Sequence, residues 1–169
     1  SKPKGRNLLF DKVWSNNANK NFNPANKFQV AGVGVGKNIV WVFHRGSRIW
    51  EGNTFNFKDE LSREEKQKGP TNDDLIIGLD PNSGKVIHSL GKGIFYLPHS
   101  ITEDPFGKGV WVTDVGLHQV LLISIETGAI LRSFGEAMVP GKDQSHFCKP
   151  THISFSTDNK YIYVTDGYC

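Results

Sequence analysis

Three side chains in the sequence have types suited to work on one small polar substrate: an imidazole, a guanidinium and a phenol. His99 stands in Pro98-His99-Ser100-Ile101. An imidazole nitrogen there can bind Zn2+, whose ordinary protein ligands include histidine. The competing reading is a hydrogen-bonded core histidine. Arg45 follows an apolar run and precedes Gly46, so its side chain leaves at a turn. A guanidinium so placed can grip a carboxylate with two parallel hydrogen bonds, or form a plain surface ion pair. Tyr168 follows Tyr163-Val164-Thr165-Asp166. A phenol beside a cation can exchange protons with a substrate, or simply pack. His44, His88, His118, His146 and His152 fit no ligand spacing such as HExxH and read as structural or surface residues.

The elements that position these groups are strands. From Phe28 onward, short runs rich in Val, Ile, Phe, Tyr and Trp alternate with Gly, Pro, Asn and Asp. The runs 30–35, 39–43, 75–79, 110–112, 120–125 and 161–164 have strand composition. Residues 1–27 are rich in Asn and Lys and read as a linker. The stretch 58–68 is mixed in charge around Leu61, has no apolar stripe, and reads as an exposed insertion.

Repetition organises the strands. Pro98-His99-Ser100-Ile101 precedes Trp111-Val112-Thr113-Asp114, and Pro150-Thr151-His152-Ile153 precedes Tyr163-Val164-Thr165-Asp166 at the same spacing. Val30-Ala31-Gly32-Val33 before Trp41-Val42-Phe43-His44 is a weaker copy. Hairpins follow at 75–91 and 121–135, so each period carries four strands. A four-stranded unit recurring every ~40–50 residues is the signature of a β-propeller blade. Two full periods and half of a third predict a propeller fragment, because a blade needs neighbours to bury its faces; the alternative is an unusual open sheet. Inner strands would carry His99 with Ile101, Val33, and Ile153 to one axis. Their backbone carbonyls suit a hard cation such as Ca2+. Asp114 and Asp166 end equivalent strands, which predicts carboxylates capping backbone N–H groups of the next turn.

Composition narrows the class. The net charge is +3, with basic residues scattered, so a nucleic-acid partner is not expected. No run approaches the ~18 apolar residues of a membrane span, and no signal-peptide core follows the basic N-terminus. Cys148 and Cys169 do not form a CxxC motif. Antiparallel neighbouring strands would bring the two together. A disulfide there implies an oxidising compartment and would fix the turn that holds Tyr168.

Three stretches together carry a family resemblance: Phe43-His44-Arg45-Gly46 with Trp50-Glu51-Gly52-Asn53-Thr54-Phe55; Phe95-Tyr96-Leu97-Pro98-His99-Ser100-Ile101 with Trp111-Val112-Thr113-Asp114; and His146-Phe147-Cys148-Lys149-Pro150 with Val164-Thr165-Asp166-Gly167-Tyr168-Cys169. Residues 28–169 resemble the peptidyl-α-hydroxyglycine α-amidating lyases. The resemblance implies a six-bladed all-β propeller with NHL-like repeats, of which 28–169 supply two blades and part of a third. It implies cleavage of a peptidyl-α-hydroxyglycine to a peptide amide and glyoxylate. His99 would be one of three zinc ligands, Arg45 the substrate-site arginine and Tyr168 the catalytic base. Val33 and Ile101 would give backbone carbonyls to a structural calcium, and Cys148 would pair with Cys169. The resemblance allows a monooxygenase domain in the same protein, leaves a membrane anchor open, and implies the secretory pathway, a secretory granule or the extracellular space. With one zinc histidine, the 169-residue chain alone is expected to be inactive. The alternative is a non-catalytic NHL-type propeller scaffold that binds proteins or RNA.

Overall fold

The computed structural model describes residues 29–169, so the expected linker over 1–27 lies outside the described residues. The chain runs β1 (Val30–Val35), β2 (Val40–His44), α1 (Arg63–Gln67), β3 (Ile76–Leu79), β4 (Val86–Leu90), β5 (Pro98–Glu103), β6 (Gly109–Asp114), β7 (Gln119–Ser124), β8 (Ile130–Phe134), β9 (Pro150–Phe155) and β10 (Ile162–Asp166). These strands form two four-stranded sheets, β1-β2-β3-β4 and β5-β6-β7-β8, and a two-stranded sheet, β9-β10. Every pairing is antiparallel. The architecture is all-β with almost no helix, consistent with a propeller fragment, and the strands fall where the repeats predict them.

Alternation along the central strands explains the stacking. Successive strand residues face opposite sides of a sheet. In β6 and β7, Val110, Val112, Leu121 and Ile123 face the first sheet, where they join Trp41, Phe43, Leu75 and Ile76. Trp111, Val120 and Leu122 face the other way and pack with Ile153, Phe155 and Val164 of the third. The middle sheet is therefore buried on both faces, and its central strands β6 and β7 are buried along almost their whole length. The outer strand β8 is exposed throughout.

The inner strands β1, β5 and β9 lie side by side. A Cβ at Gly32 would stand 2.8 Å from Ser100 Cα, and one at Gly34 would stand 2.8 Å from the Ile101 carbonyl oxygen. Glycine is what lets β1 approach β5 so closely. Between β5 and β9, Thr102 Oγ1 donates to the Ile153 carbonyl at 3.0 Å.

The repeated aspartates act as expected and also reach further back. Asp114 is fully buried and accepts from Gly116 N and Leu117 N in the following turn, and from Tyr96 N and Leu97 N in the segment before β5. Asp166 accepts from Cys148 N at 2.7 Å and Lys149 N at 2.6 Å, the equivalent positions before β9. Burial pushes the Asp114 carboxyl up, against the pull of these N–H donors.

The reading of 58–68 as an exposed insertion needs one correction. Helix α1 buries none of its residues, and Ser62 caps it by accepting from Glu65 N at 3.4 Å. Leu61, however, is only 2% exposed and bridges to Phe55. One apolar side chain anchors a segment whose composition otherwise reads as surface.

Candidate active site

The expected site residues converge where the inner strands meet. Val33, His99, Ile101, Thr151, His152 and Tyr168 line one open depression of about 380 Å³. Val33 comes from β1 and is exposed, whereas the Ile101 side chain is buried in the core. Arg45 lies at the end of β2, and its guanidinium carbon sits 5.3 Å from the centre of the Trp50 ring. Trp50 turns its edge to Tyr168 at 5.1 Å and to His99 at 6.1 Å, and His99 and Tyr168 stand 5.9 Å apart between ring centres.

His99 is half-buried. Its Nδ1 lies 2.8 Å from the Thr151 carbonyl oxygen. That oxygen can only accept, so Nδ1 carries the proton and Nε2 keeps its lone pair. A ring fixed in this way through one nitrogen suits a metal at the other. Burial pushes the His99 pKa below its ordinary value; Thr151 opposes the shift, while Arg45 and His152 add to it. The imidazole is therefore neutral at pH 7, the form a metal requires.

Arg45 is no surface ion pair. It is 7% exposed, donates from Nε to the Pro98 carbonyl at 2.9 Å, and donates from Nη1 to Gln29 Oε1 at 2.6 Å. Burial pushes its pKa down, against the nearby Asp114 charge. Among the described residues, Nη2 has no hydrogen-bond partner, which leaves a donor for a carboxylate. Tyr168 is 65% exposed with φ +66, in the left-handed region. A non-glycine residue held there costs on the order of 1–3 kcal/mol, and such outliers gather at functional sites. The Cys148–Cys169 disulfide forms, with Cα atoms 6.3 Å apart, and closes the turn next to Tyr168.

The residues present fit the expected metals in part. His99 offers one free imidazole nitrogen, whereas a catalytic zinc takes three protein ligands. Among the described residues, the single set of three such donors that comes together is Asp59 with Cys148 and Cys169, and there the two sulfurs are bonded to each other. For a hard cation, Gly34 leaves open the space beside the Ile101 carbonyl that a Cβ would fill.

Of the other histidines, His152 lines the depression beside His99, and His44, His118 and His146 are held by local hydrogen bonds. His44 Nδ1 accepts from Gly46 N at 3.1 Å. His118 is fully buried, with Nδ1 on the Cys148 carbonyl and Nε2 without a hydrogen-bond partner among the described residues. His146 meets Asp143 and Glu136 on the surface. Sequence reasoning gave no role to Trp50, Phe55, Gln29 or Lys149. For Trp50 and Phe55 the available signal was their place beside Phe43-His44-Arg45-Gly46, where three aromatics, Trp50, Phe55 and Phe57, sit in a mostly polar excursion.

The sheets and the depression where their inner strands meet define a stack of antiparallel units with a candidate site at the inner edge. One solved structure with this arrangement is hydrazine synthase from Kuenenia stuttgartiensis, matched over 98% of this chain and 33% of that one at a TM-score of 0.53; at 11% identity it speaks for the fold alone. No protein-family model matches the chain. The chain is 44% identical over 150 residues to a probable peptidyl-alpha-hydroxyglycine alpha-amidating lyase of Caenorhabditis elegans, covering 88% of this chain and 41% of that protein. It is 41% identical over 144 residues to the peptidylglycine alpha-amidating monooxygenase of Rattus norvegicus, covering 83% and 14%. It is 37% identical over 164 residues to peptidyl-alpha-hydroxyglycine alpha-amidating lyase 1 of Drosophila melanogaster, covering 95% and 28%. The chain is thus homologous over most of its length to the amidating lyases, and it spans less than half the length of these relatives.

Proposed function

We propose that the protein is a zinc-dependent lyase that converts a peptidyl-α-hydroxyglycine to a peptide amide and glyoxylate, the second step of C-terminal amidation. The observation that carries this reading is the convergence of Arg45, Trp50, His99 and Tyr168 in a chain homologous to proteins named amidating lyases. The fold in this reading is a six-bladed propeller with NHL-like repeats, with residues 28–169 as two blades and part of a third. A hydroxylated peptide implies a monooxygenase reaction upstream, in agreement with the name of the rat homologue. The disulfide supports a secretory or extracellular location.

The reaction breaks one C–N bond. Tyr168 takes the hydroxyl proton of the substrate. The O–H electron pair becomes the carbonyl of glyoxylate, and the C–N pair leaves on nitrogen, which takes that proton back from Tyr168 to become the amide. Arg45 holds the substrate carboxylate through Nη2, since its other nitrogens are held by Pro98 and Gln29. His99 would hold zinc through Nε2, and bound zinc supplies Lewis-acid polarisation of substrate oxygen. The Val33 and Ile101 carbonyls would hold a structural calcium between β1 and β5. Metal analysis of the full-length protein tests this: about one zinc per molecule in the parent and a large loss in His99→Gln are expected. Full zinc retention by a folded His99→Gln variant removes His99 from the site.

A further inference from the structure

We propose that Lys149, clamped to Asp59, is a positioning residue that holds Tyr168 against Trp50 and His99; this rests on the lyase reading above. The Lys149 side chain is 4% exposed. A buried ammonium is tolerated only when it is paired. It has three protons to place, and it has three acceptors: Asp59 Oδ1 at 2.5 Å, the Tyr168 carbonyl oxygen at 3.0 Å and Cys169 Sγ at 3.5 Å. The Phe55 ring covers it at 4.7 Å, a favourable place for a cation.

These partners come from two distant parts of the chain. Asp59 and Phe55 belong to the excursion between β2 and β3, which also carries Trp50. Tyr168 and Cys169 belong to the turn after β10. Lys149 holds that turn by its backbone as well: its N–H donates to Asp166, and its carbonyl accepts from Gly167 N at 3.1 Å. The turn needs such a hold. Tyr168 is exposed and left-handed, and its ring stands edge-on to Trp50 at 5.1 Å and tilted to His99 at 5.9 Å between ring centres. The disulfide sets how far Cys169 stands from Cys148, but the Tyr168 peptide can still rotate. The ammonium fixes that peptide through its carbonyl. The Asp59 contact meanwhile keeps the excursion, and with it Trp50, seated beside the phenol. The Asp59 carboxyl is held below its ordinary pKa first by its hydrogen bond from Lys149, so it faces the ammonium as a carboxylate at neutral pH.

The test uses the full-length protein with Lys149→Met, which keeps length and removes the charge, and Asp59→Asn at the partly exposed end of the pair. Three readouts are taken: kcat and KM, the nuclear Overhauser signal between the Trp50 and Tyr168 rings, and trypsin cleavage at Arg63, Lys66 and Lys68. Lys149→Met is expected to lower kcat at least about tenfold, in line with the cost of an ångström-scale misplacement. Its KM should stay within about twofold of the parent, and the Overhauser signal between the two rings should vanish. Asp59→Asn is expected to be cut faster in the excursion and to weaken the same signal. A folded Lys149→Met variant with parental kcat and parental ring signal overturns the proposal. If Lys149→Met does not fold, Asp59→Asn decides, and faster cutting with unchanged kcat and ring signal overturns it. If the parent lacks lyase activity, the lyase reading fails by itself, and the ring signal alone decides whether Lys149 positions Tyr168.

Discussion

Gly34→Ala probes the close approach that builds the site. The added methyl would stand 2.8 Å from the Ile101 carbonyl oxygen, whereas ordinary contact begins at 3.4 Å. The neighbour is backbone, so no rotamer change relieves the clash, and β1 and β5 must part by about 0.6 Å. Overpacking of this kind costs roughly 1–3 kcal/mol. Replacing glycine returns about 0.4–1 kcal/mol by restricting the unfolded chain. The net loss is about 1–2 kcal/mol at the middle of these ranges, or roughly 2–8 °C in Tm at about 2–4 °C per kcal/mol. Gly52→Ala is the control, because a Cβ there meets nothing within 4 Å among the described residues. It should stay within about 0.5 kcal/mol of the parent. Calorimetry of the full-length proteins with and without Ca2+ reads both effects. The Tm increment from Ca2+ should shrink in Gly34→Ala, because the displaced atom is the proposed calcium-binding carbonyl. Parental stability in Gly34→Ala, or equal losses in the two variants, refutes the reasoning.

Two further outcomes follow from the same geometry. Replacing Cys148 and Cys169 by serine should cost on the order of 3 kcal/mol in urea unfolding, from the reopened 21-residue loop; a loss below about 1 kcal/mol contradicts it. Burial holds the pKa values of His44, His99 and His118 below their ordinary value. Each then contributes stability that is complete above about pH 6.5 and lost as pH falls below it, because the unfolded imidazole takes the proton first. The partly exposed His146, raised by Asp143 and Glu136, works in the opposite sense. Tm should therefore fall less steeply from pH 7 to 5 in His118→Gln than in the parent, and identical slopes exclude the buried histidine as a cause.

The parts of the fold that could be read from the sequence are those whose causes are local. The aromatic-Val-Thr-Asp element repeats because each aspartate holds the start of its own sheet, as Asp114 does at Leu97 and Asp166 at Lys149. The disulfide was legible because both cysteines flank one antiparallel pair. Other features depend on distant contacts. Lys149 meets Asp59 across 90 positions, and neither residue type nor spacing announces the pair. Leu61 is one apolar residue in a charged run, and its burial follows from the docking of the whole excursion. Arg45 has the type its role requires, but its partners, a proline carbonyl and a glutamine side chain, leave no pattern. Gly32 and Gly34 look like ordinary strand glycines until β5 is placed beside them.

The most direct test of the lyase reading is glyoxylate release. The purified, zinc-loaded full-length protein, given a peptidyl-α-hydroxyglycine, should yield glyoxylate and peptide amide in equal amounts, above the spontaneous rate. Tyr168→Phe should lower turnover by at least about a hundredfold, the lower range of general acid–base contributions. Equal release with and without the enzyme contradicts the lyase reading, and parental turnover in Tyr168→Phe removes the phenol from the chemistry.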